Sequence, residues 1–157
     1  MKIDFVRTKQ AIRLMLDDAM DAFAIKHPNV RINKLSLWAY GFGKVAHVLL
    51  ETSDDKSVFG GRYGEYNDNE FGRGVRFDEW WPDLYACKED EPYEIQMPDG
   101  GVRRTFQSKE GNDAIDKPLF NLLKEVLREA DLGKIKRAQP FILSVQMGNS
   151  PLEESWA

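Results

Sequence analysis

Between residues 9 and 26 the apolar side chains Ile12, Met15, Leu16, Ala19, Met20 and Phe23 recur at steps of three and four. That spacing gathers them on one helix face and leaves Asp17, Asp18 and Asp21 on the other. His27-Pro28-Asn29 predicts the helix end, because a residue preceding proline is pushed out of the α region. The period then changes to two. Leu35, Leu37 and Ala39 alternate with Ser36, Trp38 and Tyr40, Gly41-Phe42-Gly43 supplies a turn, and Val45 to Leu50 returns. This predicts a β-hairpin over residues 34–52.

Neither period survives in residues 59–76, FGGRYGEYNDNEFGRGVR, which hold five of the twelve glycines. The stretch predicts a long loop with a short strand around Tyr63. Asp78 is placed to cap a short helix carrying Glu79, Trp80, Trp81, Leu84 and Tyr85, with Pro82 in its first turn. Tyr93 to Met97 and Val102 to Phe106 flank Pro98-Asp99-Gly100-Gly101, the clearest hairpin signal in the chain. Asp116 is placed to cap a second long helix reaching about Leu132, with Gly133 as its stop. Pro140 to Met147 is apolar enough for a central strand, and the tail GNSPLEESWA is polar. The order α–ββ–loop–(α)–ββ–α–β predicts one α+β domain over residues 1–157. Its sheet should be mostly antiparallel, with the two long helices packed on one face.

Composition narrows the function classes. At 157 residues the chain is long enough to build a core without staples. Cys87 is its one cysteine, so no internal disulfide forms. Charges at Lys2, Asp4, Arg7 and Lys9 break up any leader-like apolar run, and no stretch approaches the ~20 apolar residues of a membrane span. The cytoplasm is the expected location. The net charge is −4, unlike that of a general nucleic-acid binder. It is also unevenly placed: residues 1–50 carry +4, residues 51–94 carry −8, and residues 95–157 balance.

Catalytic signals are weak. His27, His47 and Cys87 stand at no zinc-ligand spacing. Asp68-Asn69-Glu70-Phe71-Gly72 is too short for a calcium loop. Gly60-Gly61-Arg62-Tyr63-Gly64 and Gly41-Phe42-Gly43-Lys44 match no phosphate-binding frame. Cys87 reads as a small semi-buried hydrophobe rather than a nucleophile, and His47 as a sheet histidine with a hydrogen-bond partner. Adjacent acid pairs such as Asp54/Asp55 usually point apart and are simply solvated. No cofactor is implied.

What remains is a segment in which aromatics alternate with acids. Tyr63, Tyr66, Trp80 and Trp81 are candidate anchors. Glu65, Asp68, Glu70, Asp78, Glu79 and Asp83 are candidate charges for a basic partner. The bland alternative is that the tryptophans belong to the core and the acids to a solvated rim.

The amphipathic first helix, the Leu35–Tyr40 strand, Phe77-Asp78-Glu79-Trp80-Trp81, the late Leu119–Leu132 helix leading into Phe141–Gln146, and the terminal Ser155-Trp156 together show a likeness. The arrangement resembles small bacterial immunity proteins of polymorphic-toxin and contact-dependent growth-inhibition systems. That resemblance implies a non-enzymatic antitoxin that binds a cognate toxin domain, commonly a nuclease. With the acidic segment and the lack of an apolar span, the expected partner is a basic ribonuclease domain, occluded without direct nucleic-acid or membrane contact. Two other classes stand beside it: a metal-dependent hydrolase using clustered carboxylates, and a regulatory protein-interaction module.

Overall fold

The computed structural model describes residues 2–52, 72–86, 91–106, 113–148 and 150–157. Strand β1 (Lys2–Asp4) runs directly into helix α1 (Phe5–Lys26), followed by β2 (Ile32–Tyr40), β3 (Val45–Thr52) and β4 (Gly72–Arg76). A 3-10 turn at Leu84–Ala86 precedes β5 (Pro92–Gln96) and β6 (Val102–Phe106). Helix α2 (Asp113–Arg128), a 3-10 turn at Leu132–Lys134, β7 (Arg137–Met147) and β8 (Glu153–Trp156) complete the described chain. No described helix is long and apolar enough to cross a membrane.

The α+β class and the mostly antiparallel pairing are as expected, but the strands form two sheets. One has the order β4-β3-β2-β7-β8 and the other β1-β5-β6. Four strand pairs are antiparallel; β2 with β7 and β1 with β5 are parallel. The parallel β2–β7 pair occupies the interior of the larger sheet, where strands shielded from water are usual.

Period-two alternation decides which face is buried. Leu35, Leu37 and Ala39 of β2 lie opposite Leu50, Val48 and Ala46 of β3, and opposite Leu143, Val145 and Met147 of β7. All nine are buried. Both helices cover this surface. Helix α1 supplies Ile12, Met15, Leu16, Ala19, Met20 and Phe23, and α2 supplies Leu119, Leu122, Leu123, Val126 and Leu127. Three ion pairs fasten the helices to each other: Lys9 with Glu125 and Glu129, and Arg13 with Glu129. Trp38, Tyr40 and His47 belong to the other sheet face, where the Trp38 and His47 rings stack at 5.1 Å.

Several expected boundaries shift for physical reasons. Helix α1 begins at Phe5, because the Asp4 carboxylate accepts from the Arg7 amide at 3.0 Å and caps it there. Asp116 is not the cap of α2. It lies inside that helix and is buried, and the helix ends at Arg128, with Gly133 falling in a separate 3-10 turn. The helix expected from Asp78 does not form. Trp80 and Trp81 amides both close on the Phe77 carbonyl, at 3.0 and 2.9 Å. Pro82 then has no N–H to continue the turn and drives Trp81 out of the α region. The polar tail contains a strand, since Glu153–Trp156 pairs with Leu143–Gln146. Of residues 59–76, read as loop, Gly72–Arg76 is strand β4. The short strand around Tyr63 lies outside the described residues, as does Cys87.

Gly148 is where β7 leaves the sheet. Its amide donates to the Ala39 carbonyl at 2.6 Å. A Cβ there would stand 2.8 Å from the Tyr40 Cβ, which is bonded directly to the β2 backbone, and 3.1 Å from the Ala39 carbonyl oxygen, which belongs to it. Gly148→Ala is therefore expected to destabilise the fold by about 1–3 kcal/mol, read as a lower urea midpoint with unchanged slope.

Candidate protein-interaction surface

The segment Arg76–Tyr85 is held by three distant parts of the chain. The first is the start of α1. Thr8 is buried, although it occupies a position in the apolar stripe of that helix. Its hydroxyl donates to the Asp4 carbonyl at 2.7 Å. It accepts from the indole N–H of Trp80 at 2.9 Å and of Trp81 at 2.7 Å. One hydroxyl has one proton and two lone pairs, so these three bonds satisfy it fully.

The second is the Phe5–Phe77 region. Trp81 is only 4% exposed and stacks on Phe5 at 5.7 Å with the Phe77 ring 5.0 Å away. Trp80 is half-buried, with the Arg7 guanidinium 4.5 Å above its ring. Both indoles thus point inward to the same hydroxyl, and Trp81 is a core residue rather than a surface anchor.

The third is the turn between β2 and β3. The Lys44 carbonyl accepts from the Phe77 amide at 2.7 Å. Lys44 has a positive φ of 53°, a conformation disfavoured for a residue with a Cβ. Its ammonium reaches Asp78 at 3.3 Å. On the other side of the same turn, Phe42 packs against Tyr85 at 5.4 Å. The Tyr85 hydroxyl shares a 2.7 Å hydrogen bond with that of Tyr40, in which either can donate. This bond raises the Tyr85 pKa above its ordinary value, keeping the phenol neutral. Tyr85 is nonetheless 69% exposed.

The acids of the segment are engaged by the protein's own cations. Asp78 takes Arg76 at 2.6 Å and Lys44 at 3.3 Å. The Arg76 hydrogen bond, aided by Lys44, holds the Asp78 carboxyl below the usual carboxylate range. Glu79 takes Arg7 at 2.9 Å. Asp83 is exposed and accepts from the Tyr85 amide at 3.1 Å. Asp78 and Glu79 thus meet three cations between them, and with Asp83 counted the acids and cations of this part of the surface balance. The structure brings together Asp78, Glu79, Trp80 and Trp81, with Asp83 following through Pro82. Tyr63, Glu65, Tyr66, Asp68 and Glu70 lie outside the described residues.

Sequence reasoning did not single out Thr8, Tyr40, Phe42, Lys44, Arg7 or Arg76. Thr8 alone carried a local signal, as a polar residue at an apolar position of α1. The others meet the segment only through tertiary contact. Among the described residues, no group of three or more His, Cys, Asp or Glu side chains is placed to hold a metal ion.

Two outcomes are expected. Thr8→Val keeps the shape but leaves two indole N–H groups without their acceptor. A loss of about 2–4 kcal/mol follows, whereas Thr8→Ser, which keeps the hydroxyl, costs about 1 kcal/mol. Chemical denaturation of the two variants distinguishes them. The second concerns acid. The folded pKa of Asp78 lies below its unfolded value of 3.8, so its contribution is complete above that value and vanishes as pH falls through the lower folded one. Asp78→Asn should lower the urea midpoint at neutral pH, and the gap from the parent should close on acidification below about pH 4.

Comparison with family models, curated proteins and solved structures found no match to this chain.

Proposed function

We propose that this protein is a non-catalytic binding protein of the immunity type, which occludes a basic nuclease toxin domain through the face around Tyr85. The observation that carries the reading is Tyr85 itself. Its ring is exposed, yet it is braced by Phe42 and tethered through its hydroxyl to Tyr40. A large aromatic already held in place offers contact area with little further ordering entropy to lose, which is the property of an interface hot spot.

The surroundings fit the same role. Trp80, five residues earlier, is half-buried, and the pairs Arg7–Glu79 and Arg76–Asp78 lie along the same segment as its polar margin. An aromatic centre inside a charged rim is common interface anatomy. Exposed ion pairs are worth only about 0–1 kcal/mol. Lysines and arginines of a partner can therefore compete for Glu79 and Asp83 at small cost. Long-range attraction toward a basic partner comes from the wider segment 51–94, which holds thirteen acids against five cations. The choice of a toxin as that partner rests on the resemblance of the chain to immunity proteins and on this charge segregation.

The decisive experiment uses the C-terminal domain of a secreted toxin encoded immediately beside this gene. Mixing the two proteins should give a stoichiometric complex and abolish nuclease activity. Tyr85→Ser should weaken the complex about tenfold or more, with a drop in melting temperature small enough to leave the protein folded at the assay temperature. Glu79→Lys combined with Asp83→Lys should slow association and reduce its salt dependence. A toxin that stays fully active in excess protein sinks the proposal.

A further inference from the structure

A hollow of about 280 Å³ opens where the end of α1 meets the segments that enter β2 and β7. Its walls are apolar. Phe23 and Ile135 are buried, and Ala24, Pro28 and Val30 complete them. The backbone holds these segments to one another. The His27 amide donates to the Phe23 carbonyl at 2.8 Å, the Val30 amide to the His27 carbonyl at 3.2 Å, and the Ile32 amide to the Lys136 carbonyl at 2.8 Å. The His27 ring lies against Phe23 at 5.3 Å. The hollow is therefore formed in advance of any occupant, as small-molecule sites usually are.

Two lysines also line it, and they differ. Lys134 pairs with Asp21 at 3.3 Å and with Asp17 at 3.8 Å, so its charge is spent within the fold. Lys136 is exposed and, among the described residues, pairs with no acid. Its chain neighbour Arg137 and the residue after Val30, Arg31, are exposed as well. Arg31 donates to the Arg137 carbonyl at 3.2 Å, and the Arg137 guanidinium stands 5.7 Å from the Phe141 ring. Among the described residues neither arginine meets a carboxylate. Lys26, in the last turn of α1, offsets the negative end of the helix dipole. An apolar hollow thus carries uncompensated positive charge at its rim, in a chain whose net charge is −4.

We infer that this hollow binds a small carboxylate with an apolar body of about one aromatic ring, the ring against Phe23, Val30 and Ile135 and the carboxylate at Lys136. Two demands select that ligand class. The walls gain only from an apolar group that displaces water from them, and Lys136 gains only from an anion. Inorganic phosphate or a nucleic-acid backbone would answer the charge and leave the walls bare. An apolar cation would fill the walls and meet Lys136, Arg31 and Arg137 with the wrong sign. The volume lies at the small end of ligand sites, which excludes a long acyl chain. This site stands independently of the face around Tyr85.

The test titrates the whole chain with 3-phenylpropionate and follows backbone amide shifts by NMR. The amides of Val30, Ile135 and Lys136 should move and saturate below about 10 mM ligand, the range expected of a ligand this small. The same ring on an amine, 3-phenylpropylamine, and inorganic phosphate should each leave those amides in place. Lys136→Glu, an exposed change, should weaken binding about fivefold. Ala24→Phe, which fills the hollow from the helix side, should abolish it. Arg103→Glu, an equal charge change exposed on β6 of the other sheet, should have no effect. Absence of shifts around the hollow overturns the inference, as does equal binding of the amine. Indifference to Lys136→Glu, or an equal loss with Arg103→Glu, also overturns it, by reducing the effect to apolar contact or to bulk charge.

Discussion

The Thr8 hydroxyl is the contact on which the arrangement of the candidate surface depends. It lies one turn into α1, back-bonded to Asp4, and it receives both indole N–H groups of Trp80 and Trp81. A buried polar group is costly when unpaired and specific when fully paired. Here one oxygen decides that two consecutive tryptophans turn the same way. Neighbouring residues in a helix or strand diverge too widely for that, so the chain makes a single turn closed on the Phe77 carbonyl. Pro82 then redirects it toward Leu84 and Tyr85. The exposure of Tyr85 is in this sense a consequence of how Thr8 is satisfied.

The turn between β2 and β3 works with that contact. Its Lys44 holds an unfavourable positive φ, and in that position its carbonyl and ammonium both reach the Phe77–Asp78 corner. Phe42, two residues earlier, supports Tyr85. The surface is thus clamped between the first turn of α1 and a hairpin of the main sheet, two elements that share the core. Its rigidity derives from buried contacts, while its outer rim of ion pairs is solvated and easily exchanged.

Two of the acids expected to offer their charge to a basic partner are already engaged within the fold. Asp78 and Glu79 are balanced by Arg76, Lys44 and Arg7. Two of these cations come from the first fifty residues, the portion with the positive excess. Among the described residues, part of the segment's negative charge is therefore cancelled at the surface, because folding places Arg7 and Lys44 against Glu79 and Asp78. The acids of α1 show the converse. They sit in a segment that is positive by count, yet Asp17 and Asp21 share one lysine from the far end of the chain.

What the residues determined by themselves follows from local periodicity. The 3.6 spacing of Ile12 to Phe23, the alternation of Leu35 to Ala39 and the turn chemistry at Pro98–Gly101 each involve a few neighbouring positions. They led to α1, the β2–β3 hairpin, the β5–β6 hairpin and the α+β class. Short β1 and β8 escaped because strands of three and four residues carry too few alternations to register. The parallel pairing of β2 with β7 joins residues about a hundred positions apart, and no local pattern encodes it. The surface itself was half legible. Its aromatic and acidic composition stood out, but whether a tryptophan is core or anchor depends on Thr8, and whether an acid is free depends on Arg7, Lys44 and Arg76. Those partners approach only when the sheets and helices close on a common core, so the tertiary structure alone decided which groups remain for a partner to meet.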